Sequence, residues 1–206
     1  MTAPDPNLAD GSTVLDERVR VGTASQMRDL GQRLAGLLRA GDLVVLSGAL
    51  GAGKTTLAQG IGAGLGVRGQ VTSPTFVIAR VHPSLHSGPD LVHADAYRLG
   101  SRAEVDDLDL DADQATAVTV VEWGEGLVEG LAESCLTVTI QAEVTALAPG
   151  CPAAADESAD GPRTVRVQGS GERWRAAAAQ AAVRIAVTGS LPPGSIHTGL
   201  EPTGPG

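Results

Sequence analysis

Gly48-Ala49-Leu50-Gly51-Ala52-Gly53-Lys54-Thr55 has the residue types and spacing of a triphosphate cradle. The glycines let the backbone turn its N–H groups inward around a β-phosphate, which side chains would obstruct. A helix N-terminus behind them adds partial positive charge. Lys54 can reach the β/γ oxygens, and Thr55 offers a hydroxyl to Mg²⁺, an ion that keeps most of its waters and takes few protein ligands. Lys54 is the chain's only lysine among fifteen Lys and Arg residues. Elsewhere the chain uses the wide, planar guanidinium, whereas a phosphate cradle takes a compact charge.

Two carboxylates sit where such a site would need them. Val118-Thr119-Val120-Val121 reads as a buried strand delivering Glu122-Trp123 at its end. An acid terminating an apolar strand downstream of a P-loop is the Walker B arrangement, holding Mg²⁺ directly or through water. Glu122 is one methylene longer than the usual Asp, but both are hard oxygen ligands. Asp95 ends the run Leu91-Val92-His93-Ala94, off the carboxyl end of a strand, where open α/β sheets place their ligands. There it could orient or deprotonate a water, with Arg98 assisting or bracing the loop. Pro74 forces Ser73 out of the helical region and displays the hydroxyls of Ser73 and Thr75 beside it. That loop is either a phosphate-sensing switch or a plain surface turn. Three of the four aromatics, Phe76, Tyr97 and Trp123, fall inside these motifs, either lining the site or plugging the sheet edge.

The positioning elements follow from local pattern. Residues 1–16 are Pro, Asp and Gly rich and are expected to lack fixed structure. Arg18-Val19-Arg20-Val21 alternates as an edge strand does. Thr23 and Gln26 form a capping box, and Met27, Leu30, Leu34, Leu37 and Leu38 repeat at helical spacing, predicting a helix that ends near Ala40-Gly41. Leu43 to Leu46 is the strand feeding the cradle. The helix after it carries Leu57, Ile61 and Leu65 on one face, interrupted by Gly60, Gly62 and Gly64 at about 1 kcal/mol each relative to Ala. Such a helix requires tertiary packing, and Gly66 is its stop.

A strand is expected at about Phe76 to Val81. Residues 101–113 form an acidic run read as a solvated face; Asp107 to Asp113 lacks the central Gly and terminal Glu of a calcium loop. Leu136–Ile140 and Arg163–Gln168 look like a closing antiparallel pair, with 145–162 a flexible insertion. Trp174 to Val187 reads as a helix, and 189–206 as a floppy tail. The organisation expected is one domain over 17–188. Its fold class is a three-layer α/β P-loop sheet, mostly parallel at the centre with antiparallel edge strands.

At 206 residues and a formal charge of −9, the chain argues against gripping nucleic acid through phosphates and leaves protein partners and small ligands open. It shows no signal-peptide pattern and no apolar stretch of membrane-spanning length, so a cytoplasmic location is expected. Cys135 and Cys151 are too few and unpatterned for a disulfide framework or zinc site.

Taken together, Gly48 to Thr56, Ser73-Pro74-Thr75-Phe76, His93-Ala94-Asp95-Ala96-Tyr97-Arg98-Leu99 and Val121-Glu122-Trp123 resemble, in order and spacing, the TsaE (formerly YjeE) family, P-loop ATPases of tRNA threonylcarbamoyladenosine synthesis. The resemblance covers roughly residues 18 to 140. It implies an ATP-hydrolysing subunit that docks on the threonylcarbamoyl-transferring complex of TsaD with TsaB and meets tRNA only indirectly. It implies that Gly51, Ala52, Gly53, Lys54, Thr55 and Thr56 hold the phosphates. Thr55 and Glu122 would ligate Mg²⁺, and Asp95 would serve hydrolysis with Lys54. Trp123 matches a site tryptophan, and Glu125 is counted with it in the nucleotide-binding set. The segments at Ala24 and Arg163 would border the adenine. Ala49 stands where family members commonly carry an acid, so any role for a carboxylate there is absent.

Two other readings compete. In a small-molecule kinase Asp95 would be base for an acceptor hydroxyl, but the mobile arginine-bearing lid such kinases use has no counterpart between Arg102 and Glu143, where no arginine occurs. A GTP switch would need an Asn-Lys-x-Asp motif, and the only asparagine is Asn7.

Overall fold

A computed structural model of the chain describes residues 13–74, 79–99, 104, 116–143 and 161–189. Its described elements are β1 (Thr13–Val21), α1 (Ala24–Ala35), β2 (Leu43–Gly48), α2 (Lys54–Leu65), β3 (Ala79–His82), β4 (Asp90–Asp95) and β5 (Ala117–Glu122). After these come a 3₁₀ turn at Glu129–Leu131, β6 (Cys135–Ala142), β7 (Arg163–Ser170), α3 (Glu172–Arg175) and α4 (Ala177–Thr188). The strands form one sheet in the order β1-β7-β6-β2-β5-β4-β3. The pairs β6/β2, β2/β5 and β5/β4 are parallel, whereas β1/β7, β7/β6 and β4/β3 are antiparallel. The expected fold class stands: a parallel centre flanked by antiparallel strands.

Alternation along the central strands assigns their two faces. Val44, Leu46, Val118 and Val120 face α1, α2 and α4 in the main core. Leu43, Val45, Ala117 and Val121 face a smaller cluster that Leu127, Val128 and Leu131 help to close. Trp174, the aromatic outside the polar motifs, is 1% exposed and anchors the main core.

Helix α1 starts as its capping box dictates: the Thr23 side chain accepts from the Gln26 N–H at 3.2 Å, and Gln26 Oε1 accepts from the Gly22 N–H at 2.7 Å. It ends at Ala35, earlier than Ala40. Beyond Gly36 the apolar period continues as tight turns in which the N–H groups of Leu37 and Leu38 bond to Leu34 and Ala35. The glycines of α2 have a packing function. A Cβ on Gly60 would stand 2.2 Å from the Arg28 carbonyl oxygen, and one on Gly64 2.5 Å from the Ala35 Cβ. Gly31 of α1 answers them, since a Cβ there would meet the Leu57 carbonyl oxygen at 2.5 Å. Helices α1 and α2 therefore touch backbone to backbone.

Other boundaries differ from local pattern. β1 reaches back to Thr13, into the stretch expected to be unstructured, because β7 offers it a partner along its whole length. β3 starts at Ala79; Phe76 and Thr75 lie outside the described residues. The C-terminal helix is two pieces, broken where Ala176 adopts an extended conformation at φ −61° and ψ 131°. The proposed insertion is described only at 161–162, and of the tail only Gly189 is described. Among the described residues no helix is long and apolar enough to cross a membrane.

Candidate functional site

The three central strands end side by side, and their register delivers the chemistry. Leu46 pairs with Glu122, and Asp95 pairs with Glu122, so both carboxylates arrive at the level where β2 turns into the glycine loop. Gly48 sits at φ 145°, with only 2.5 Å between a would-be Cβ and the Ile140 carbonyl oxygen. Gly53 sits at φ 110° and begins α2 from the left-handed region, so that this bend is open to glycine.

Lys54, 4% exposed, donates to the carbonyls of Gly48 at 2.7 Å and Ala49 at 2.9 Å. Its ammonium also lies 3.5 Å from the centroid of the Trp123 ring. Burial pulls its pKa down; Glu122 and then Asp95 oppose that. Trp123 has φ 62°, the one positive value outside glycine among the described residues. A bulky residue held there stores strain. Its N–H bonds to the Leu46 carbonyl at 3.0 Å, and its ring meets Tyr97 at 5.2 Å between centroids. The crowding of aromatics at the site is thus real for Trp123 and Tyr97.

The Thr55 hydroxyl donates to the Glu122 carboxylate, 2.9 Å from Oε1 and 3.1 Å from Oε2. A hydroxyl and a carboxylate side by side, both hard oxygen donors, fit Mg²⁺, whose remaining positions stay with water and phosphate. Asp95, 6% exposed, accepts from the Tyr97 N–H at 2.9 Å, and the Ser73 hydroxyl stands 3.5 Å from its other oxygen. Together these groups border a cavity of about 350 Å³ that also takes in Gly51, Gly53, Thr56 and Trp123.

A second cavity, of about 140 Å³, lies on the α1 side of the loop and shares Gly51, Gly53 and Thr56 with the first. Ala24, Ala52 and Arg163 line it. Arg163, 8% exposed, is engaged with the loop itself: Nε donates to the Ala52 carbonyl at 2.8 Å and Nη2 lies 3.4 Å from the Gly51 carbonyl oxygen, while Nη1 holds Gly161. It braces the cradle from the start of β7.

Glu125 borders neither cavity; it is exposed and accepts a hydrogen bond from the Ser47 hydroxyl on β2. Thr75 lies outside the described residues. Sequence reasoning missed His93, which is fully buried with Nε2 2.9 Å from Glu122 Oε1. The signal was present: His93 shares a strand face with Asp95, and a polar ring interrupts an otherwise apolar strand. It also missed that Arg163 bonds to loop carbonyls.

A family model described as "Threonylcarbamoyl adenosine biosynthesis protein TsaE" matches residues 21–147, which contain the cradle, both carboxylates and Trp123. The chain is 60% identical over 152 residues to the tRNA threonylcarbamoyladenosine biosynthesis protein TsaE of Streptomyces coelicolor, covering 73% of this chain and 95% of that one. To the protein of the same name from Bacillus subtilis it is 34% identical over 124 residues, 59% of this chain and 75% of the other. The crystal structure of Bacillus subtilis YdiB shares the fold at a TM-score of 0.55 and 24% identity, covering 77% of this chain and 88% of that one. The P-loop, the paired carboxylates and the extent of these matches agree, and the chain belongs to the TsaE family.

Proposed function

We propose that this chain is a Mg²⁺-dependent ATPase subunit required for threonylcarbamoyladenosine modification of tRNA next to the anticodon, acting on the TsaD/TsaB transferase complex. The observation that carries the reading is the meeting of Thr55 and Glu122 beside Lys54 in one cavity. A bound Mg²⁺ would be held by Thr55 and Glu122 and would supply charge neutralisation at the phosphates.

The loop amides from Gly51 to Thr56 receive the β- and γ-phosphates, and the Lys54 ammonium exchanges the Gly48 and Ala49 carbonyls for phosphate oxygens. This exchange costs little, because a buried ammonium bonded only to neutral carbonyls gains from an anion. Asp95 is held by the Tyr97 N–H with its second oxygen near Ser73; in this reading it orients a water and takes its proton as the terminal phosphate departs. The cavity bordered by Ala24, Ala52 and Arg163 is of a size to take the nucleobase. Absence of the Asn-Lys-x-Asp motif favours ATP over GTP. The acidic chain, with its net charge of −9, fits contact with tRNA through the partner complex rather than directly.

The test is phosphate release from ATP with Mg²⁺, measured with and without TsaD and TsaB. Slow intrinsic hydrolysis that rises with the complex is expected, together with its loss in Asp95→Ala. Normal hydrolysis by Asp95→Ala in the complex removes Asp95 from the mechanism. Failure of the wild-type protein to bind ATP removes the whole proposal.

A further inference from the structure

Glu122 is 2% exposed, so protein donors and not bulk water set the orientation of its carboxylate. Among the described residues two side chains donate to it. Thr55 shares one proton between Oε1 at 2.9 Å and Oε2 at 3.1 Å. His93 directs Nε2 at Oε1 alone, at 2.9 Å. The two donors differ in burial: Thr55 sits half-buried at the edge of the cavity, whereas His93 is 0% exposed on β4, in register with Val120 of β5. Oε1 accepts from both donors and Oε2 only from the shared Thr55 proton, so Oε2 is the oxygen with more capacity left for a ligand.

The other ring nitrogen of His93 carries a cost that packing alone does not explain. Nδ1 is buried and has no hydrogen-bond partner among the described residues. An orphaned buried polar atom costs about 1–3 kcal/mol, which a leucine of similar volume would avoid. The Nε2 bond to Glu122 is what the histidine supplies in return.

We propose that His93 is a positioning residue: it fixes the Glu122 carboxylate so that Oε2 is presented to the cavity at the end of β2, and thereby sets how far Mg²⁺ tightens nucleotide binding. This rests on reading that cavity as a Mg²⁺–ATP site. Loss of a group that orients a metal-binding side chain typically weakens metal support by about 10–100-fold.

The experiment is calorimetric titration of the full chain with a non-hydrolysable ATP analogue, in Mg²⁺ and in EDTA, for wild type, His93→Gln and His93→Asn. A Gln side chain places its amide nitrogen near the position of Nε2, whereas Asn places it near Nδ1. Thermal unfolding verifies that both variants are folded, and if Asn does not fold, His93→Leu takes its place. The expected result is that Asn loses about tenfold or more of the Mg²⁺-dependent tightening with its EDTA affinity unchanged, and that Gln retains most of it. Equal loss in Gln and Asn would reduce His93 to a core residue, and wild-type Mg²⁺ dependence in Asn would overturn the inference outright. Wild-type protein that binds no analogue in Mg²⁺ would instead defeat the ATPase reading, and this inference with it.

Discussion

Replacing Gly60 by alanine pits two effects of opposite sign against each other. Helix propensity favours Ala over Gly by about 1 kcal/mol in a helix interior, so an isolated α2 would gain. In the folded protein the new Cβ would stand 2.2 Å from the Arg28 carbonyl oxygen and 2.9 Å from two further backbone atoms of Arg28. Ordinary contact begins near 3.4 Å, so α1 must retreat locally by the difference, about 1.2 Å. No rotamer can relieve this, because the obstructing atoms are backbone.

Overpacking of a tight core costs about 1–3 kcal/mol, and an immovable obstacle places Gly60→Ala at the upper end. Subtracting the propensity gain leaves a net loss of about 2 kcal/mol, or roughly 4–8 °C in Tm for a chain of this size. Urea unfolding followed by circular dichroism would measure it, with Gly36→Ala as control. At Gly36 the φ is −62° and the nearest atom to an added Cβ is 3.5 Å away, so that variant should be neutral or slightly stabilised. The displacement should also reach the site. Met27 of α1 approaches a would-be Cβ at Gly53 to 3.5 Å, and Ala24 lines the smaller cavity, so nucleotide affinity should fall as well. A Gly60→Ala protein as stable as wild type, or more so, would refute the backbone-to-backbone packing.

Arg163→Lys keeps the charge but cannot span the Ala52 and Gly51 carbonyls, so nucleotide affinity should drop about tenfold by calorimetry, the loss of one charge-assisted bond. Glu122→Gln should remove most of the difference between nucleotide affinity in Mg²⁺ and in EDTA while leaving EDTA affinity near wild type. Burial holds the His82 imidazole below its usual pKa of 6.5, so the unfolded chain protonates first as pH falls. Stability should therefore decline below about pH 6.5, and His82→Gln should flatten that decline in urea midpoints taken across the range. In a Cys151→Ser background, Cys135 should resist thiol reagents at pH 8 until the protein is unfolded, because burial raises its pKa to about 12.

What could be read from the chain, and what could not, divides by the distance over which each interaction acts. The glycine spacing, the apolar runs of β2 and β5 and the acids ending β4 and β5 are local, and they locate the cradle and both carboxylates without any fold. The glycines of α2 looked like a defect because their reason lies on another helix, in Gly31 and the backbone of Arg28. The extent of β1 was misjudged on composition because its partner, β7, comes more than a hundred residues later, and pairing along the whole strand outweighs a weak local preference. Arg163 was expected to border the adenine and lines the smaller cavity, yet its bonds to loop carbonyls depend on antiparallel β7 bringing its first residue to the loop. His93 is the sharpest case. Its chemistry is set by a lateral register, Asp95 opposite Glu122, that puts a residue two positions earlier on β4 beneath the carboxylate it orients. Site residues that touch a ligand leave a mark in one segment, whereas residues that orient them belong to two strands at once and become visible only when the sheet is assembled.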